Sequence, residues 1–568
     1  RSSRRSVRKM ERLNATVLEV AEAWGVLEVS PRDWLLASGA LLLATMFLSF
    51  VSERRSSRDV GPPEHWFFYS TIDLLANMHR FLDYLHENTR AFAPKTWSVK
   101  IWAQPRLFFT GDPKNIEHIL KTQFKKYGKG RPMASRFQAF LGDGIFNVDG
   151  HRWWVHRKVT ANMFKVKAFR DYMMPSINAR CDTMMQLLEQ VVDGGDIAYT
   201  EAAEEIFDPA SFLFLLGRSV PSSRRITWKP EKHCVDLHNV LHRFTIDTIG
   251  DIAFGENIDS LSRADHPVAT AFDYIQKYSN MDLFMPLWRL RRWLLPSGRR
   301  FLAALRVVDD YAYSVVRRRR KQLATAGGET EKRAYADLLT LYLTHPETKS
   351  SNLSDHFLRN LIMNILIAGR DTTAQALSWT FFLLATHKDI QDNAAAEAHA
   401  IIGASGVKRH VSYEEVAKMK YILAVFNEAL RLFPSVPKEG RICNEADTWP
   451  DGTRIKPGEW ANFTPYSMGR SEELWGEDCL EFRPERFLAD TKPSPFIFTA
   501  FLAGPRMCLG QNLAYLEART VIARILASYT VSLPEAAPPV EYDNSITLPM
   551  KHGLWLRFER RVSSAFAI

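Results

Sequence analysis

Apolar residues recur at helical spacing over most of the chain, at residues 164–341 and again at 355–386, with no strand-rich block between them. The second pattern is broken by Gly369-Arg370-Asp371-Thr372-Thr373. Glycine weakens a helix there, and threonine can bond back to the preceding turn and bend it. Short alternating stretches predict a small β region. Residues 97–102 and 107–110 read as strands joined by a turn, and 434–441 has strand character. Residues 453–458 with 460–465 read as a hairpin, and 546–558 as strands around a turn near Pro549. Asp112 followed by Pro113 has the form of an N-cap and first helical position. Residues 128–141 read as an apolar-rich loop, and 245–256 as a helix ending near a glycine. Residues 272–295 are aromatic and basic. They form either an ordinary amphipathic helix pair or a lid over an apolar pocket that also dips into a membrane surface. The charge run at 317–321 predicts a solvated helix end, and 324–332 a flexible surface loop.

Residues 34–51 carry no charge, close to the shortest length that spans a bilayer. Trp34 stands at one end, where an interfacial aromatic belongs, and Arg54, Arg55 and Arg58 follow at the other. A single membrane anchor is the first reading. Arg32 just before the run keeps a buried or re-entrant segment open. The arginines place the larger, C-terminal part on the cytosolic side. Residues 1–33 form a basic tail: a disordered arm, a lipid-facing arm or the remnant of an organelle transit peptide. The first residue is Arg1 rather than Met, so a further segment is expected ahead of it. Residues 52–65, with Gly61-Pro62-Pro63, read as a stiff hinge. Residues 66–560 then form one large domain and 561–568 a tail.

The net charge of +10 points to an anionic membrane or an acidic protein partner once the membrane segment is counted; nucleic acid is not expected. The five cysteines show no paired spacing, which fits a reducing compartment and offers no zinc site. Cys508 differs from the other four. Phe501, Gly504, Pro505, Arg506 and Gly510 surround it, and a helical pattern follows from Gln511. Backbone N–H groups at a helix start favour a thiolate. A cysteine thiolate is a ligand for iron, although a lone cysteine near a helix start is more often inert.

Four further patterns accompany it. Trp153 and Arg157 share one helix face at i and i+4, where an indole N–H and a guanidinium can hold one carboxylate. Ala368-Gly-Arg-Asp371-Thr372-Thr373 places an acid and hydroxyls in an apolar helix. Glu428 and Arg431 lie on one face at i and i+3, and Pro484-Glu-Arg486-Phe487 follows. Each is weak alone. In this order they resemble the cytochrome P450 family: W-x-x-x-R, A-G-x-D-T-T, E-x-x-R, P-E-R-F and the F-x-x-G-x-R-x-C-x-G cysteine loop. The resemblance covers residues 66–560.

The resemblance implies a mainly α fold with a small β region, a triangular helical prism around a buried heme, with an N-terminal transmembrane helix. It implies a heme-thiolate monooxygenase with heme b ligated by Cys508. Trp153, Arg157, Arg441, Phe501, Gly504, Arg506 and Gly510 would complete the cofactor site. Asp371 and Thr372 would deliver protons for oxygen activation, and Glu428, Arg431 and Arg486 would form a structural network behind the cysteine loop. No second-cofactor motif follows, so electrons are expected from NADPH through a separate reductase or a ferredoxin-type donor. The exposed members of Arg152, Arg157, Lys158, Lys165 and Lys167 would attract such a partner.

The runs LGDGIFNVDG, AGRDTTAQALSW, NEALRLFPSVP and KHGL resemble the fatty-acid and alkane omega-hydroxylase branch, which implies a lipophilic substrate. Ala368 stands where some members carry a glutamate esterified to heme, so that link is excluded. Isoprenoid, carotenoid or sterol-like substrates, hydroperoxide isomerase or dehydratase chemistry on the same fold, and a heme-binding sensor without turnover are the alternatives. An endoplasmic-reticulum membrane with the catalytic domain in the cytosol is the expected location; a plastid or other organelle membrane is the alternative.

Overall fold

The computed structural model describes residues 60–64, 69–102, 104–195, 197, 231–263, 266–285, 288–325, 337–345, 353–403 and 409–561. The expected tail at 1–33 and anchor at 34–51 lie outside the described residues, as do all but the first residue of the expected C-terminal tail at 561–568 and most of the expected loop at 324–332. No described helix is long and apolar enough to cross a membrane.

Helices dominate, as the apolar periodicity requires. Leu237–Phe254 is central: it packs against Met174–Val192, Asp355–Gly369 and Asp371–Thr386. It is buried along nearly its whole length, with Val240, Phe244, Ile249 and Ile252 in the core. Asp236 caps its start, and Gly255 ends it in the left-handed conformation (φ 62°) that a helix C-terminus favours. Gln511–Ser528 packs against Lys388–Ile402 and Lys420–Leu432.

The β region holds a five-stranded sheet in the spatial order Trp97–Lys100, Arg106–Thr110, Trp460–Phe463, Glu439–Cys443 and Tyr127–Gly128. Its one parallel pair joins Leu107 to Trp460 in register; the others are antiparallel. A smaller core lies beneath it, formed by Phe108, Ile116, Leu120, Tyr127, Trp449 and Phe463. Ala503 and Leu502 of the cysteine loop pack into that second core, which fixes the loop against the sheet.

Three local expectations are corrected. Residues 128–141 are not a loop, because Gly130–Leu141 is a helix. Pro132 sits in its first turn, where a missing N–H costs nothing, and Met133, Phe137, Phe140 and Leu141 form its buried face. The hairpin at 453–465 does not form. Arg454–Ile455 pairs with Asp447–Thr448, while Trp460–Phe463 enters the large sheet between strands from remote parts of the chain. Near Pro549 the only bridge among the described residues is Tyr542 to Met550, and the C-terminal strand Trp555–Arg560 pairs with Tyr529–Ser532 and Cys234–Asp236. The charge run lies in the last turns of the Pro296–Thr325 helix, with Arg317, Arg318 and Lys321 exposed as expected. Its Arg319 is buried and meets Asp337 at 3.1 Å.

Candidate active site

The cysteine loop is held by its backbone. Cys508 N–H donates to Phe501 O at 2.8 Å, and Leu502 N–H to Thr499 O at 2.9 Å. Leu502 has φ 58°, a strained value for a residue with a side chain, which the surrounding contacts maintain. Gly504 has φ 68°, and a Cβ there would stand 2.2 Å from Leu120 O. Its glycine is therefore required by close packing on the neighbouring turn. A Cβ on Gly510 would meet Cys508 Sγ at an ordinary 3.8 Å. Phe501 packs edge-on against Tyr515, with centroids 5.0 Å apart, and so ties the loop to the helix that follows.

Cys508 opens into a cavity with about 1550 Å³ of atom-free space, its mouth included. Burial pushes the Cys508 thiol up; the backbone N–H groups of Gly510 and Gln511 and the Arg157 guanidinium pull the other way. The helix start thus opposes protonation of the sulfur without overcoming its burial. Coordination to a metal ion deprotonates a thiol outright.

One side of the cavity is cationic. Trp153, Arg157, Arg441 and Arg506 all line it, together with Lys129 and Glu439. Arg506 donates to Asp149 Oδ1 at 2.6 Å and Val148 O at 3.0 Å and lies 4.6 Å from the Trp153 ring. Arg441 donates to Glu439 Oε2 at 2.7 Å, and Lys129 Nζ is 3.9 Å from the same oxygen. Burial and then Arg441 lower Lys129 to about 8 and Arg506 to about 10. Arg157 turns inward, donating to Met507 O at 2.8 Å, whereas Arg152, Lys158, Lys165 and Lys167 are exposed.

The opposite wall is the broken helix. Asp355–Gly369 ends and Asp371–Thr386 begins on either side of Arg370. A Cβ on Gly369 would stand 2.4 Å from Ile249 Cγ1, so this glycine admits the central helix. Two side chains take carbonyls at the break: Thr245 Oγ1 donates to Arg370 O at 2.8 Å, and Ser435 Oγ to Thr372 O at 2.7 Å. Thr372 lines the cavity and donates to Ala368 O at 2.5 Å.

Asp371 does not line the cavity. It is buried behind it, accepting from Arg370 Nη1 at 2.8 Å and Gln276 Nε2 at 3.0 Å, with His242 Nε2 3.7 Å away. Arg370 also bonds Asp273. Burial raises Asp371 to about 7 against the pull of Arg370. Burial and Arg370 push His242 down to about 3.

Glu428 accepts from Arg431 through both oxygens, at 2.7 Å each, and from Arg486 Nε at 3.3 Å. Arg431 also holds Cys479 O at 2.6 Å and Glu481 O at 2.9 Å. Glu428 and Arg431 are fully buried, so the three side chains pin the Pro484–Phe487 turn to the Lys420–Leu432 helix.

Sequence reasoning missed Lys129, Glu439 and Glu517. Lys129 lay in a segment read as a loop. Glu439 precedes the expected Arg441 by two positions and shares its strand face. Glu517 lies on the helix after the cysteine, lines the cavity and is hydrogen-bonded to Thr373; burial raises it to about 8.

The residues fit a flat, iron-bearing macrocycle with carboxylate arms. A sulfur stands at one wall, Ala368, Ala376, Ile365 and Leu513 supply apolar surface, and cations gather at one edge. Arg506 Nε is buried there and bonds no group among the described residues. The chain belongs to the cytochrome P450 family, whose family model matches residues 60–216 and 225–557. It is a monooxygenase that uses heme b on a cysteine thiolate and NADPH electrons passed through a reductase. It is 35% identical over 470 residues to cytochrome P450 86B1 of Arabidopsis thaliana, covering 80% of this chain and 77% of that protein. It is 32% identical over 512 residues to cytochrome P450 CYP94D108 of Paris polyphylla, 87% of this chain and 92% of that one. Cytochrome P450 94A2 of Vicia sativa is 31% identical over 551 residues, 93% and 98% of the two chains.

Proposed function

We propose that the protein hydroxylates a long-chain fatty acid or alkane at or near its omega end. The observation that carries this is the cavity: an apolar chamber with Cys508 at one wall and Thr372 at the wall formed by the broken helix. The motif runs that resemble the omega-hydroxylase branch support the substrate class. Heme on the Cys508 thiolate supplies oxygen activation with electron push toward O–O cleavage.

The remaining steps belong to the chain's own residues. Lys129, Arg441, Arg506, Arg157 and Trp153 hold the carboxylate arms of the cofactor. Apolar side chains such as Phe164, Ile249 and Val436 exclude water and keep the substrate near the cysteine wall. Thr372 Oγ1 turns from Ala368 O to donate its proton into the cavity. Asp371, buried one residue back and titrating near neutrality, restores that proton.

The 34–51 segment anchors the protein in the endoplasmic-reticulum membrane with this domain in the cytosol. Arg152, Lys158, Lys165 and Lys167 receive an acidic reductase surface. The reading is tested by incubating the purified protein with reductase, NADPH, O₂ and a panel of fatty acids, alkanes and isoprenoids. Terminal or near-terminal alcohols of the straight-chain substrates are expected. Product from hydroperoxides alone, without NADPH, would instead establish isomerase or dehydratase chemistry.

A further inference from the structure

Glu439 is an acid set among cations, at the edge of the cavity that suits the heme's carboxylate arms. It lines the cavity together with Lys129, Arg441 and Arg506. Three remote segments bring these side chains together. Glu439 and Arg441 lie two positions apart on the Glu439–Cys443 strand and share one face. Lys129 stands just before the Gly130–Leu141 helix, and Arg506 belongs to the cysteine loop. Glu439 Oε2 accepts from Arg441 Nη1 at 2.7 Å, and Lys129 Nζ lies 3.9 Å from the same oxygen. Burial would raise the Glu439 carboxyl. Lys129, Arg441 and Arg506 outweigh it and hold the group below the usual carboxylate range, so it is an anion at neutral pH.

An anion at this edge works against the arms it stands beside, since like charges repel. Its presence calls for a role other than binding them, and two features supply one. The first is orientation. Arg441 Nη1 is held by Glu439 and by Gly440 O at 2.8 Å, and its other N–H groups remain for an arm. The second is charge. Among the described residues four cations line the cavity: Lys129, Arg157, Arg441 and Arg506. Glu439 answers one of them, and Asp149, which accepts from Arg506 Nη2 at 2.6 Å, answers another. Two positive charges remain, the match for two carboxylate arms. Without Glu439 the edge would carry one positive charge in excess. Delivery of one electron by the reductase adds one negative charge to the site and no proton. A nearby cation lowers the free energy of that added charge, and a nearby anion raises it.

We propose that Glu439 is a fixed counter-charge, which aims Arg441 and Lys129 at the heme arms and holds the reduction potential of the site low. Glu439 is a positioning residue and touches no reacting atom. The inference rests on the reading above of Lys129 and Arg441 as holders of the arms, and adds what their shared anion does to electron transfer.

The test uses the full heme-loaded protein. The ferric–ferrous midpoint is read by spectroelectrochemical titration, without reductase or substrate. Glu439→Gln keeps the shape and an acceptor for Arg441 while removing the charge. Its heme should be about tenfold easier to reduce, which for a one-electron couple is a midpoint about 59 mV higher. Lys129→Met removes the opposite charge of the same pair and should move the midpoint the other way. The double variant should return close to the wild-type value, and Glu439→Asp, which keeps the charge, should stay near it. A purely structural role would not give opposite signs for the two halves of one pair, because a loosened site would move both alike. A midpoint in Glu439→Gln that is unchanged or lower overturns the inference. If Glu439→Gln fails to load heme, the double variant decides. A midpoint above that of Lys129→Met then supports the counter-charge, and one at or below it overturns it. If neither single variant moves the midpoint, the reading of the arm-holding cations falls as well; if Lys129→Met alone lowers it, only the inference about Glu439 falls.

Discussion

Thr372 shows how one hydroxyl can be structural and chemical at once. Its bond to Ala368 O bends the helix, and its position on the cavity wall gives it access to a reacting group. Thr372→Ala is expected to keep heme and substrate binding while the ratio of alcohol formed to NADPH consumed falls and peroxide appears. Loss of a positioned proton donor typically costs about 10²–10⁴ in the step it serves. An unchanged ratio, with reductase in excess, would place proton delivery on Thr373 or another group. At this scale the sequence is readable where function depends on local spacing. Cys508, Trp153, Arg157 and Thr372 all meet the cavity because one loop or one helix face sets their positions. Asp371 looked equivalent to Thr372 in sequence, but the next position on a helix turns by about 100° and leaves the cavity wall. Lys129, Glu439 and Glu517 gain their meaning from packing between remote segments, and no short motif announces that.

Among the elements, the helix that follows the cysteine couples the two walls. Glu517 projects from it and meets Thr373 of the broken helix. The carboxyl is raised from 4.5 to about 8, so the folded state binds a proton that the unfolded state releases. That contribution is complete below about pH 4.5, falls away as pH rises to about 8 and is constant beyond. Glu517→Gln keeps the shape without the titration, so its melting temperature relative to wild type should rise across that window. A difference that does not vary with pH would show that Glu517 is ionised in the fold.

The Glu428 network makes a second prediction at this scale. Glu428→Ala strands the buried Arg431 and should cost about 3–5 kcal/mol, read as loss of heme-loaded protein on expression and a lowered unfolding midpoint. Helices were readable because their apolar period repeats over many residues. The Gly130–Leu141 helix was hidden by glycine and proline at its start, and the proposed hairpin failed because strand partners are chosen by long-range packing. Alternation in a strand reveals its faces and says nothing of its neighbour.

Across the whole molecule, one apolar core surrounds the broken helix, and the small sheet with its second core holds the cysteine loop. Removal of the chain through Arg58 should leave a folded heme protein with weaker membrane association. Partial retention is expected, because Trp293, Leu294 and Leu295 are exposed beside Arg299 and Arg300. Sedimentation with vesicles as complete as that of the intact protein would remove the anchor from the account. The central claim is that Cys508 is the thiolate ligand of the heme, and the most direct measurement is the absorption spectrum of the reduced protein under carbon monoxide. The wild-type protein should show the red-shifted Soret band of a thiolate-ligated heme, and Cys508→His should lose that band while still retaining heme. A red-shifted band that persists in Cys508→His would contradict the account.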